Sequence, residues 1–162
     1  MSEPRHGARR TEALARSRAR LAVVQALYQM DLAETDLAEV IDDFKAHRLG
    51  PDAEDATVAG GDADHFARVL SGVVGRQREI DPMVDQQLAA GWTLIRVDAI
   101  VRAILRAASF ELMDLAEVPA RVVISEYINV AHAFFDSDEP KVINGVLDQL
   151  ARKLRPGELP ER

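Results

Sequence analysis

Arg16, Arg18 and Arg20 stand at alternate positions directly ahead of the apolar run Leu-Ala-Val-Val-Gln-Ala-Leu-Tyr at residues 21–28. An arginine offers a planar fork of donors that matches phosphate oxygens and stacks on base or aromatic faces, so a basic edge of this kind can hold a nucleic-acid backbone. At about 100° per residue, Leu14, Ser17, Leu21, Val24 and Tyr28 share one sector of a helix. Arg9, Arg16 and Arg20 group along one flank and Arg18 lies on the other, so the helix is expected to bury its stripe and keep guanidinium groups in solvent on both sides. The plain alternative is a solvated helical face with no ligand.

No other constellation carries a comparable chemistry. His6, His47, His65 and His132 have no partner at metal-ligand spacing, and the chain has no cysteine to complete a site. Acidic pairs such as Asp42 with Asp43 and Asp62 with Asp64 read as solubilising groups rather than as an acid and a base across a cleft. Gly72 to Gly75 has the Gly-x-x-Gly spelling of an RNA-clamping loop but lies inside a helical period, where close helix packing explains small residues better. Gly60 and Gly61 lack the strand, spacing and lysine of a phosphate-binding loop. Trp92 and Phe110 could stack on bases, although lone aromatics in a helical protein are ordinarily core. The residues therefore point to binding rather than catalysis, with no catalytic residue, metal or cofactor expected.

A chain of 162 residues fits one domain, or two small subdomains sharing a core. The net charge of −7 conceals an asymmetry: residues 1–20 carry +4 and the remainder −11. Such a molecule favours an oriented encounter with nucleic acid and leaves an acidic body for a basic protein partner. Without cysteines a reducing compartment is compatible. The apolar runs are too short to span a bilayer and the N-terminus is polar and arginine-rich, which predicts a cytoplasmic protein with no membrane contact.

The elements that must position the arginines read as seven helices and no strand. Residues 1–10, with Pro4 and Gly7, are expected to form a flexible basic tail, and residues 157–162 a C-terminal one. Helix 1 is predicted over about Thr11 to Ala33. Asp36 with Glu39 forms a capping signal for helix 2, which Gly50 and Pro51 should stop after Leu49. The acidic stretch from Pro51 to Asp64 reads as a poorly ordered surface loop. Phe66, Val69, Leu70, Val73, Gln77 and Ile80 mark helix 3, and Asp81 before Pro82 reads as the cap and first turn of a short helix 4 closing at Gly91. After a connector at Trp92, the series Val97, Ile100, Val101, Ile104, Leu105, Ala108 and Leu112 makes helix 5 the centre of the core. Pro119 opens helix 6. Ser137 to Pro140 opens helix 7, where Asn144-Gly145 is read as helical despite its hairpin spelling, with the glycine admitting a close neighbour. The architecture is an all-α domain over residues 11–156, with helices 1–3 at about 11–80 and helices 4–7 at about 82–155, in two packed small bundles.

Three runs in this order and spacing resemble the NusB family of transcription antitermination factors. They are Arg-Ala-Arg-Leu-Ala-Val-Val-Gln-Ala-Leu-Tyr at 18–28, Arg-Ala-Ile-Leu-Arg-Ala-Ala-Ser-Phe-Glu-Leu at 102–112, and Val-Pro-Ala-Arg-Val-Val-Ile-Ser-Glu-Tyr-Ile leading to Val-Ile-Asn-Gly-Val-Leu-Asp within 118–148. The resemblance covers about Arg16 to Pro156. It implies two small helical bundles, no catalysis, and binding of single-stranded boxA RNA on ribosomal RNA transcripts together with NusE, a ribosomal small-subunit protein, within the RNA polymerase antitermination complex.

Carried onto this chain, the resemblance makes Arg16, Arg18 and Arg20 the RNA-facing arginines, with a second RNA region around Asp138 and Lys141. Tyr28 and the helix containing Asp98, Arg102 and Glu111 are the implied partner face. A face that binds a partner can also pair with itself, so a homodimer stays open. A different class, the NusB-like accessory domain of RNA cytosine methyltransferases, would require a cofactor domain downstream of Pro156.

Overall fold

The computed structural model describes residues 3–89 and 92–161. Among these residues there are six helices and no strand: α1 (Glu3–Ala33), α2 (Leu37–His47), α3 (Ala63–Asp85), α4 (Ala99–Asp114), α5 (Ala120–Phe134) and α6 (Glu139–Leu154). The chain divides into two compact units between Ser71 and Gly72, inside α3 and ahead of the expected division near residue 80.

In the first unit α1 packs on α2. The helix begins at Glu3 rather than near Thr11, so residues 3–10 belong to it. Its inward face also differs from the predicted stripe. Ala19, Arg20, Ala22, Val23, Val24, Ala26 and Leu27 are buried, whereas Leu14 and Tyr28 are exposed. The run from Leu21 to Leu27 is apolar almost all round, so the small alanines, which admit a close neighbour, decide which side faces inward. α2 buries Val40 and Phe44, and the Phe44 ring stacks on Phe66 at 4.9 Å between centroids. Arg48 lies over the Phe44 ring, 4.4 Å from its centroid, a cation–π contact. Asp36 precedes α2 in extended conformation, but its carboxylate makes no cap hydrogen bond.

The segment expected to be a loosely ordered loop is tied down. Val58 and Ala59 are buried, the Gly60 amide donates to Leu49 O at 2.8 Å, and the Asp62 amide donates to Ala15 O at 2.9 Å. Asp62 then caps α3, its carbonyl accepting from Phe66 N and its carboxylate from His65 N at 3.0 Å, the two bonds an N-cap residue supplies.

In the second unit α4, α5 and α6 pack pairwise on one another. α4 is the most buried element: from Ala103 to Leu112 only Arg106 reaches solvent appreciably. Asp98 caps it, accepting from Ile100 N at 2.8 Å. Gly72 is required here, because a Cβ would lie 2.1 Å from the Phe110 ring. Gly145, by contrast, has open space around it, so the expected close helix neighbour is absent, although Asn144 and Gly145 are helical as predicted.

The break expected at Asp81-Pro82 falls instead at Arg76, where φ is −118° and ψ 16°. Pro82 lies inside α3, and no separate helix 4 forms among the described residues. The Asp81 carboxylate does not cap a helix; it accepts two parallel bonds from Arg106, each 2.9 Å. The predicted stop at Gly91 lies outside the described residues.

Candidate nucleic-acid and partner surfaces

The α1 arginines are not equivalent. Arg9 and Arg10 are exposed and Arg16 is half-buried. Arg18 is half-buried and donates Nη1 to Ala59 O at 2.9 Å. Arg20 is 2% exposed, so the expectation that it offers its guanidinium to solvent is not met. It sits one position from Ala19 on the buried side of α1. Ser17 donates its hydroxyl to Ala13 O at 3.0 Å. The arrangement presents delocalised positive charge along one helix, the form suited to a phosphate backbone.

Asp138 and Lys141 stand exposed at the start of α6. Asp138 is in αR conformation and its side chain makes no cap bond, while Pro140 in the first turn fixes the entry of the helix and is buried. Neither charged group is drawn into the packing of the unit.

The residues expected to form the partner face behave in three ways. Tyr28 is 38% exposed and lies one turn from Leu32, itself 68% exposed, so together they give α1 an apolar outward patch. Asp98 is exposed but serves α4 as its cap. Arg102 turns inward, its Nη1 shared among Leu94, Ile95 and Val97 carbonyls at 3.2 to 3.3 Å. Glu111 is fully buried and its carboxylate accepts from the Tyr127 hydroxyl, so it is not available to a partner. On α4 it falls among the buried positions on both sides, where a charged side chain persists only with hydrogen-bonding groups around it.

Sequence reasoning missed Arg155. It is buried and reaches four carbonyls, Glu111, Leu112, Leu115 and Val118, at 2.7 to 3.2 Å. These carbonyls lie in the last turn of α4 and in the connector that follows it, where regular helical pairing runs out. The only signal was an arginine just before Pro156-Gly157, which reads as an ordinary helix end. The tail after it is also held: Glu158 accepts from Ala120 N at 3.0 Å and from Arg155, and Pro160 O accepts from Arg152 at 2.8 Å. Phe110 is core, as expected, but Trp92 is 60% exposed. It stands on a connector pinned by the Asp85 carboxylate to Leu94 N at 2.5 Å.

Among the described residues no group of three or more metal-ligating side chains comes together, and no helix is long and apolar enough to cross a membrane.

The NusB family model matches residues 17–152. A transcription antitermination protein NusB from Rhizobium rhizogenes (strain K84 / ATCC BAA-868) is 49% identical over 140 residues, 86% of this chain and 88% of the relative. One from Rhodopseudomonas palustris (strain HaA2) is 48% identical over 143 residues, 88% of this chain and 85% of the relative. Among solved structures, T. maritima NusB aligns with a TM-score of 0.74 at 28% identity, covering 88% of this chain and 94% of that one. The structure of antitermination factors NusB and NusE in complex with dsRNA has the same fold, with a TM-score of 0.69 at 20% identity over 86% of this chain and 97% of that one. A family match across most of the helical chain, relatives near half identity and a shared fold lead to one conclusion: the chain belongs to the NusB family of transcription antitermination proteins.

Proposed function

We propose that this protein is an RNA-binding transcription antitermination factor of the cytoplasm, which pairs with NusE on boxA-type single-stranded RNA of ribosomal RNA transcripts and acts by binding, without catalysis. The observation that carries the reading is the outward row of Arg9, Arg10 and Arg16 on α1, which hold no hydrogen bond or ion pair among the described residues. Arginines that serve a fold are matched to carbonyls or carboxylates; these three keep their donors and charge for a ligand and, unlike the exposed Arg78, Arg96 and Arg121, are grouped with Arg18 on one helix. Arg18 supplies a fourth guanidinium, and Asp138 with Lys141 a second region. Arg20 is assigned to the support of α1. For the protein partner the exposed Tyr28 and Leu32 replace Glu111 and Arg102 as the residues that touch it, and Asp98 stays available at the head of α4. A solved relative in the fold contains NusB and NusE together with RNA, which supports the pairing.

A basic ribosomal protein docked on an acidic body would extend the positive track open to one RNA strand, so each ligand should tighten the other by the same factor, with a coupling on the order of 1 to 3 kcal/mol. Titrating a boxA-type oligonucleotide into the free protein and into its preformed complex with NusE tests this. Equal RNA affinity in the two titrations would overturn the adaptor mechanism.

A further inference from the structure

We infer that the segment from Leu49 to Asp62 is a brace that pre-orients Arg18 for phosphate, with Gly60 as its positioning residue. The inference rests on the RNA-binding reading above and deepens it, since a loop read from sequence as a passive acidic linker becomes part of the binding surface.

The Ala59–Gly60 peptide unit is held at both of its polar atoms. Its carbonyl accepts Arg18 Nη1 at 2.9 Å, and its N–H donates to Leu49 O, just beyond α2, at 2.8 Å. Rotating that peptide to release Arg18 would break the second bond. The next residues add to the restraint. Gly61 N donates to Val58 O at 3.0 Å, and Asp62 N donates to Ala15 O at 2.9 Å, on α1 itself one turn before Arg18. A Cβ on Gly61 would meet Leu49 Cδ2 at 2.9 Å and Val58 O at 3.0 Å, so the segment passes through its tightest point beside the bond it secures. Gly60 adopts φ +79°, and a Cβ there would stand 3.3 Å from Arg18 Nη1. Only glycine combines that backbone with that clearance.

The identity of the acceptor matters as much as its position. A carboxylate on Arg18 would orient it and cancel its charge together. A backbone carbonyl orients it and leaves the charge whole. Although the segment is acidic, its carboxylates turn elsewhere: Asp55 accepts from the Thr57 amide at 3.0 Å and its hydroxyl at 2.5 Å, bonds that lower the Asp55 pKa, and Asp62 caps α3. Among the described residues Ala59 O is the single hydrogen-bond partner of Arg18, and no ion pair reaches it. A guanidinium has five N–H donors, so one bond restrains the fork and leaves the remaining donors for a phosphate. A long side chain whose rotamers are already restricted loses less freedom on docking.

The test is a double-mutant cycle on the full-length protein with a fluorescein-labelled boxA-type RNA oligonucleotide, measured over a range of salt. Arg18→Ala is expected to weaken binding about tenfold, the effect of one charge-assisted hydrogen bond. Gly60→Ala should weaken it several-fold and lower the salt slope by about one contact, yet add nothing in the Arg18→Ala background. A purely structural role for Gly60 would alter thermal unfolding without moving the salt slope, and additive losses would likewise overturn the brace. Arg18→Lys guards against a misfolded glycine variant, because it keeps the charge and changes only the fork. Lysine matching arginine in affinity would mean that orientation contributes nothing. An unmodified protein with no salt-dependent RNA binding would overturn the RNA reading and the brace together, whereas normal binding with an additive cycle would sink the brace alone.

Discussion

The two units differ in where their unmatched arginines stand: grouped on one helix in the first, scattered in the second. In the second unit three guanidinium groups are matched within the fold, Arg106 to the Asp81 carboxylate, Arg102 to three connector carbonyls, and Arg155 to carbonyls at and beyond the end of α4 and to Glu158, while Arg78, Arg96 and Arg121 stand exposed on separate segments. In the first unit Arg9, Arg10 and Arg16 are unmatched among the described residues and Arg18 is oriented by a neutral carbonyl. The contrast sets cations that build the fold beside a group of cations on one helix that remain for a ligand. Counting charge along the sequence cannot make that separation, because it depends on what each fork of donors meets.

The comparison predicts effects of different size and kind. The largest belongs to Arg155→Ala, which removes the donor shared by four carbonyls at and just beyond the end of α4. A loss of about 3 to 5 kcal/mol is expected in urea unfolding, the scale seen when one member of a buried charged network is removed. A loss below about 1 kcal/mol would show that water replaces the guanidinium freely. Leu105→Ala and Leu147→Ala follow, each at roughly 2 to 5 kcal/mol, since both side chains are fully buried in the second unit. Thermal unfolding that hardly moves would mean these helices are not packed as described.

A smaller effect is set by pH. The Ala120 amide, and after it the Arg155 guanidinium, hold the Glu158 carboxyl below the usual glutamate value. The sign follows directly: a carboxylate favoured in the folded state adds stability that is present above the ordinary glutamate range and is lost as pH falls through the lowered folded value. Glu158→Gln should therefore flatten the acid limb of the stability profile and leave its neutral-pH shape unchanged. An acid limb identical to that of the unmodified protein would show that the tail carboxylate is not linked to folding.

The all-helical class, the central place of α4 and the helical reading of Asn144-Gly145 were legible because period and length agree there. What sequence could not supply depends on the direction a side chain takes. Arg20 and Arg16 fall on the same flank of a wheel, yet Arg20 is buried and Arg16 is not, since the alanine-rich face turned α1 from the stripe that Leu14 and Tyr28 suggested. Asp81 before Pro82 spells a helix start, but its carboxylate has a better partner in Arg106, distant in sequence. Glu111 looked like a surface acid for the same reason: its Tyr127 partner lies on the next helix. The Gly60-Gly61 pair is plain in the sequence, but its place beside Arg18 depends on a contact 41 residues away along the chain.

The central claim is that the unmatched arginines of α1 are the RNA-binding cations. The most direct measurement is the salt dependence of boxA-type RNA binding for a protein carrying Arg9→Ala, Arg10→Ala and Arg16→Ala together, with the thermal midpoint recorded alongside. Exposed arginines of this kind contribute little to folding, so the midpoint should stay within a few degrees. The slope of log affinity against log salt should fall by about two units, from roughly 0.7 per phosphate contact on a single strand. An unchanged affinity and slope would contradict the account and place the RNA on another surface.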